Sequence, residues 1–112
     1  MDVNKALEKY GLTKSEDCWK HPQAKFYILT HDACLKIASQ EKITTDKIES
    51  LQCTPDNVTL LVTMSKGDRS ETTIGEASKD NVRMQGAYLG CMAEKRGKDR
   101  AILQLVDCYE FF

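Results

Sequence analysis

Apolar positions along this chain change period twice, and the changes divide it into elements. Between Asp2 and Tyr10, Val3, Ala6, Leu7 and Tyr10 recur at helical spacing, and Gly11 follows where a helix end favours glycine. Thr13 to His21 is polar apart from Cys18 and Trp19 and closes on Pro22, so it reads as loop or irregular turn. Lys25 to Leu29 has the aromatic and β-branched content of a short strand. Thr30 then offers a capping oxygen, Asp32 suits a first helical turn, and Cys34, Ile37 and Ala38 give a helical face running to about Glu41.

From Asp46 the period falls to two. Asp46 to Cys53 reads as a strand, and Thr54, Pro55, Asp56 and Asn57 place proline and Asx residues where a tight turn wants them. In the next run Val58, Leu60, Val62 and Met64 alternate with Thr59, Thr63 and Ser65, and only Leu61 is out of place. Lys66, Gly67 and Asp68 signal a hairpin, and Arg69 to Ile74 returns as a third strand. Gly75 to Met84 shows no apolar pattern and reads as a polar link.

Gly86 to Val106 contains no proline, and strong helix formers fill its middle, so one long helix is expected there. Gly86, Gly90, Ala93, Gly97 and Ala101 recur every three or four residues and form a single row almost without side chain. A helical glycine costs about 1 kcal/mol against alanine, so such a row implies close approach to another backbone. The expected fold is therefore α+β, a three-stranded antiparallel meander packed by a long C-terminal helix, with a short strand and helix before it. One domain is expected over residues 1–112, with 1–22 as a helix and irregular segment and 23–112 as the α+β core.

The charges on the long helix refine this picture. Glu94 with Lys98 and Lys95 with Asp99 stand one turn apart and can satisfy one another. Arg96 and Arg100 form a like-charged pair, and two planar guanidinium forks on one ridge suit a phosphate backbone; a merely solvated face is the alternative. Lys66 and Arg69 make the hairpin tip locally basic. The formal net charge is −1, so any nucleic-acid binding must come from a local patch or from several subunits. Trp19 is expected as a plug over a core edge, with base stacking the alternative.

Five cysteines without short regular spacing fit a reducing, intracellular, cytoplasmic setting, and no apolar run approaches a membrane span. Cys18 and His21 followed by His31 and Cys34 are residue types that ligate zinc, but the strand-like segment between them argues for scattered structural residues. No nucleophile motif, phosphate loop or metalloprotease motif occurs, so neither catalysis nor a cofactor is expected. Phe111 and Phe112 are expected to pack on the domain or on another copy.

The order of helix, meander and long charged helix, ending in a lysine-arginine run through Arg100, Ala101 and Ile102, resembles the Rad-fifty-two-like single-strand annealing proteins, including small phage members. The resemblance covers roughly His31 to Val106 and rests on Gly75, Glu76, Ala93, Gly97, Arg100, Ala101 and Ile102. Asp99 and Leu103 stand where better known members carry a lysine and an arginine. The resemblance implies a ring-forming homo-oligomer that binds single-stranded DNA in a groove lined by the helix and the hairpin. Arg96, Lys98, Arg100, Lys66 and Arg69 are the expected contacts. Two alternatives stand beside it: a small protein-interaction or inhibitor module without nucleic-acid binding, and recognition of double-stranded RNA, which shares the α-β-β-β-α order.

Overall fold

Backbone hydrogen bonding in the computed structural model follows these periodicities and adds two elements to them. The structure describes residues 3–20, 27–80 and 89–108. In chain order the elements are α1 (Val3–Tyr10), α2 (Lys14–Asp17), β1 (Cys18–Lys20), β2 (Tyr27–Leu29), α3 (His31–Glu41), β3 (Thr44–Cys53), β4 (Asn57–Lys66), β5 (Arg69–Ser78) and α4 (Leu89–Leu105). The boundaries have local causes. Gly11 takes a positive φ of 65° just after α1. Thr30 Oγ1 accepts from the Ala33 amide at 3.1 Å and caps α3, as expected.

The meander is as anticipated, in order β3-β4-β5 with both pairs antiparallel. Thr54 Oγ1 accepts from the Asn57 amide at 3.0 Å in the first turn, and Gly67 supplies the positive φ of 60° in the second. Register shifts at Asp46 and Leu51 mark bulges in β3 and divide its ladder with β4 into three stretches, of which Lys47–Ser50 is the longest.

Packing follows from side-chain size. Val58, Val62 and Met64 of β4 and Thr73, Gly75 and Ala77 of β5 form the buried face of the sheet, and α4 lies across it. Part of the small row predicted on the helix, Ala93 and Gly97, is the contact, whereas a Cβ on Gly90 would meet nothing within 4 Å. A Cβ built on Gly75 would lie 1.9 Å from the Ala93 carbonyl oxygen and 2.5 Å from the Gly97 amide nitrogen, and one on Gly97 would lie 2.6 Å from Val62 Cγ2. The Thr73 hydroxyl donates to the Gly97 carbonyl at 2.6 Å, which ties strand to helix where the two backbones are closest. Gly86 of the predicted row lies outside the described residues.

The other side of α4 is covered as well. Ile102, Leu103 and Leu105 pack with Ala33, Cys34, Ile37 and Ala38 of α3, Ala6 and Tyr10 of α1, and Leu29. The long helix is thus central: Ala93 and Gly97 meet the sheet together with Leu89, and Ile102, Leu103 and Leu105 join the cluster that holds the other helices. Glu41 fastens the layers at one end, since it accepts from the Tyr10 hydroxyl at 3.0 Å and pairs with Lys66 at 2.8 Å. These neighbours hold its carboxyl below the usual range, the Lys66 bond first.

Three sequence readings need correction. Thr13 to His21 is not irregular throughout: α2 and β1 lie within it, and β1 pairs with β2 through Cys18↔Leu29 and Trp19↔Ile28. A strand that finds a partner ten residues on carries no periodic signature of its own. The polar link begins too early, because Gly75 to Ser78 continue β5. Their inward positions, Gly75 and Ala77, are too small to register as apolar. Asp99 is not a surface partner of Lys95: it is buried and bonds His31, and Lys95 acts on it only as a weaker electrostatic neighbour. Gly86 to Tyr88, Phe111 and Phe112 lie outside the described residues.

Candidate nucleic-acid interface

The seam between α4 and β5 brings three of the five expected cations into line. The two elements run antiparallel along it. Arg96 Nη1 donates to the Glu76 carbonyl at 2.8 Å, Arg100 Nη1 donates to the Ile74 carbonyl at 2.6 Å, and Arg69 Nη2 donates to the Gln104 carbonyl at 2.9 Å. A helix rises 1.5 Å per residue, so Arg96 and Arg100 stand about 6 Å apart along α4, while Arg69 reaches the end of the seam from β5. Arg96 and Arg100 are half-exposed and Arg69 is exposed.

The local reason for this arrangement is the edge of the sheet. β5 is an outer strand, and its outward carbonyls need partners. Two arginines one helical turn apart repel one another mildly. Here each fork donates to a carbonyl of β5, which holds it along the strand edge.

The other two expected cations lie elsewhere. Lys98 is two residues from each arginine, which places it about 200° around the helix, and it pairs with Glu94 at 2.8 Å as the spacing suggested. It does not belong to the seam. Lys66 lies at the hairpin and pairs with Glu41. With Arg69, Lys9, Tyr10, Leu105, Val106 and Asp107 it lines a cleft of ≈ 460 Å³ at the far end of α4. Arg69 also meets Asp107 at 3.2 Å and Glu71 at 3.4 Å, so acidic groups temper that end of the file.

A second polar feature escaped the sequence reading. His31 Nδ1 stands 2.6 Å from Asp99 Oδ1, across 68 residues of chain. Asp99 is only 5% exposed, and burial pushes its carboxyl up while the His31 bond opposes the rise. The Cys34 thiol also bonds Asp99. Burial and that carboxylate raise the thiol far above its ordinary value, so it is not an available nucleophile. No short-range spacing rule joins His31 to Asp99, which is why local pairing with Lys95 looked sufficient. Of the zinc-like quartet, His21 lies outside the described residues, and among the described residues no three His, Cys, Asp or Glu side chains converge as metal ligands. No described helix is long and apolar enough to cross a membrane.

Comparison with known proteins adds nothing to this geometry: no family model, no curated protein and no solved structure matches the chain.

Proposed function

We propose that the protein binds single-stranded DNA without catalysis, holding phosphates along the α4–β5 seam, and that several copies acting together anneal complementary strands. The observation that supports this reading is the file of Arg96, Arg100 and Arg69, each held by a backbone carbonyl along the seam. Prior fixing matters because a free arginine loses rotamer freedom when it grips a phosphate. Phosphates held from one side leave bases free to pair, so annealing needs charge neutralisation and extension rather than bond chemistry. With a formal net charge of −1, one copy offers little long-range attraction, which favours a homo-oligomer, in the ring form that the family resemblance implies.

Anisotropy of a labelled oligothymidylate, titrated at several salt concentrations, tests the seam. The wild type is expected to show a linear fall of log affinity with log salt. Arg100→Ala is expected to flatten that slope by about 0.7, the single-strand value for one lost phosphate contact. Arg100→Lys keeps the charge and most of the slope. Equal affinity and slope for Arg96→Ala, Arg100→Ala and wild type, all folded by circular dichroism, removes the seam from the function.

One observation favours a second reading, a protein-interaction module that ignores nucleic acid. β3 is an outer strand of ten residues that α4 does not cover, and it exposes Ile48 (40%) and Leu51 (56%). Strand addition at such an edge is a common mode of partner recognition. On this reading Leu51→Lys abolishes self-association or partner binding in light scattering while leaving the melting temperature unchanged, and oligonucleotides have no effect at low salt.

A further inference from the structure

Beside the His31–Asp99 pair lies a pocket of ≈ 250 Å³, lined by Trp19, Ile28, Leu29, Thr30, His31 and Asp99. Trp19 and Ile28 are cross-strand partners on the β1–β2 ribbon and form one wall. The chain then passes through Leu29 and Thr30 into α3 and delivers His31 to the floor. Trp19 is 46% exposed, so a large aromatic surface faces solvent at the mouth. Apolar walls with a single polar pair are the usual make-up of a small-ligand site.

The polar pair constrains the ligand. When Asp99 is ionised its carboxylate only accepts hydrogen bonds, so the His31 imidazole then donates through Nδ1 and keeps Nε2 as the ring atom that can bond a ligand. An aliphatic chain would leave that nitrogen unmatched. A phosphate would lie against the Asp99 carboxylate. A cation would find that carboxylate already bonded to His31 and Cys34. A flat ring with a hydrogen-bonding edge meets every wall: its face stacks on the indole and its edge meets the imidazole. If the pair served packing alone, two apolar side chains would fill the same volume without desolvating a carboxylate.

We infer that this pocket takes a nucleobase, stacked on Trp19 and hydrogen-bonded by His31 in the orientation that Asp99 fixes. The inference rests on the single-strand reading only for where the base comes from. A base of a bound strand and a free nucleoside share the chemistry.

Trp19 is the sole tryptophan, so its emission reports occupancy directly. Thymidine and adenosine, which carry no phosphate, are titrated first, followed by an oligothymidylate and an abasic oligomer of equal length. The expected result is saturable quenching by nucleosides and by oligothymidylate, and none by the abasic oligomer. His31→Gln is expected to weaken nucleoside binding at least about tenfold; Trp19→Ala, shown folded by circular dichroism, is expected to do the same by calorimetry. Equal anisotropy-measured affinity for the abasic and thymidylate oligomers, with unchanged tryptophan emission throughout, overturns the pocket and leaves the strand reading standing. Nucleoside quenching without any oligonucleotide binding at low salt supports the pocket and overturns the strand reading. A saturable response to N-acetyl-tyrosinamide with none to nucleosides overturns the assignment in favour of a peptide aromatic.

Discussion

Gly75→Val is expected to abolish the cooperative unfolding transition, and Gly75→Ala to lower stability by about 3 kcal/mol or more, at or beyond the top of the usual overpacking range. The atoms a new Cβ would strike are the Ala93 oxygen at 1.9 Å, the Gly97 nitrogen at 2.5 Å and the Gly97 Cα at 2.8 Å, all of them backbone. Nothing there can rotate aside. The helix must lift, which opens the contact of α4 with β4 and breaks the 2.6 Å bond from Thr73 to the Gly97 carbonyl. Gly90→Ala supplies the control, because a Cβ there meets nothing within 4 Å. Its expected effect is a gain of up to about 1 kcal/mol from helix propensity alone. Urea denaturation of the three variants tests both signs at once, and a Gly75→Ala midpoint equal to wild type would show that the two backbones are not in contact.

Asp17→Ala is expected to lower stability by about 2 kcal/mol at neutral pH, from a residue that the sequence places in an unremarked polar stretch. Asp17 is 2% exposed, and its carboxylate accepts from the Thr13 amide at 2.8 Å and from Lys36 Nζ at 2.8 Å. It therefore closes the first turn of α2 and ties that turn to α3. Lys36 is half-exposed and regains water when its partner goes, so the loss stays below that of a fully buried pair. The Lys36 bond, with the Thr13 amide behind it, outweighs burial and holds the Asp17 carboxyl below its ordinary value. A depressed carboxyl contributes stability above its unfolded-state pKa, about 3.9, and that contribution disappears as pH falls through the lower native value. In wild type, stability measured from pH 6 downward should fall below about pH 4, and in Asp17→Asn that part of the acid limb should flatten. An acid limb identical in the two proteins would remove Asp17 from the linkage.

What the sequence disclosed and what it hid divide along one physical line. Regularities that repeat within an element were legible: the alternation of β4, the Thr30 cap, the turns at Thr54 and Gly67, and the bare row of α4. Each is a local consequence of period or backbone geometry. The partner of the bare row was not, since Gly75 and Ala77 sit among Glu76, Ser78 and Lys79 and look like a linker when no large side chain marks the inward face. The site divided in the same way. The like-charged spacing of Arg96 and Arg100 was visible, whereas the carbonyls of Ile74 and Glu76 that orient them belong to another element. Asp99 misled for the same reason: Lys95 is a plausible neighbour on a helix, and only the docking of α3 brings His31 within 2.6 Å.

The two borders of the sheet are unequal, and this bears on assembly. One border, at β5, is stoppered by guanidinium groups, whereas among the described residues no helix covers the border at β3. Among the described residues, strand addition to the meander is open at β3, and two copies that meet border to border there close that edge to further strands. Such a union would be two-fold and, within the meander, self-limiting. A closed circle of many copies needs two unlike surfaces on every member, so it would have to be made by side chains or helices joining such units rather than by extending the meander.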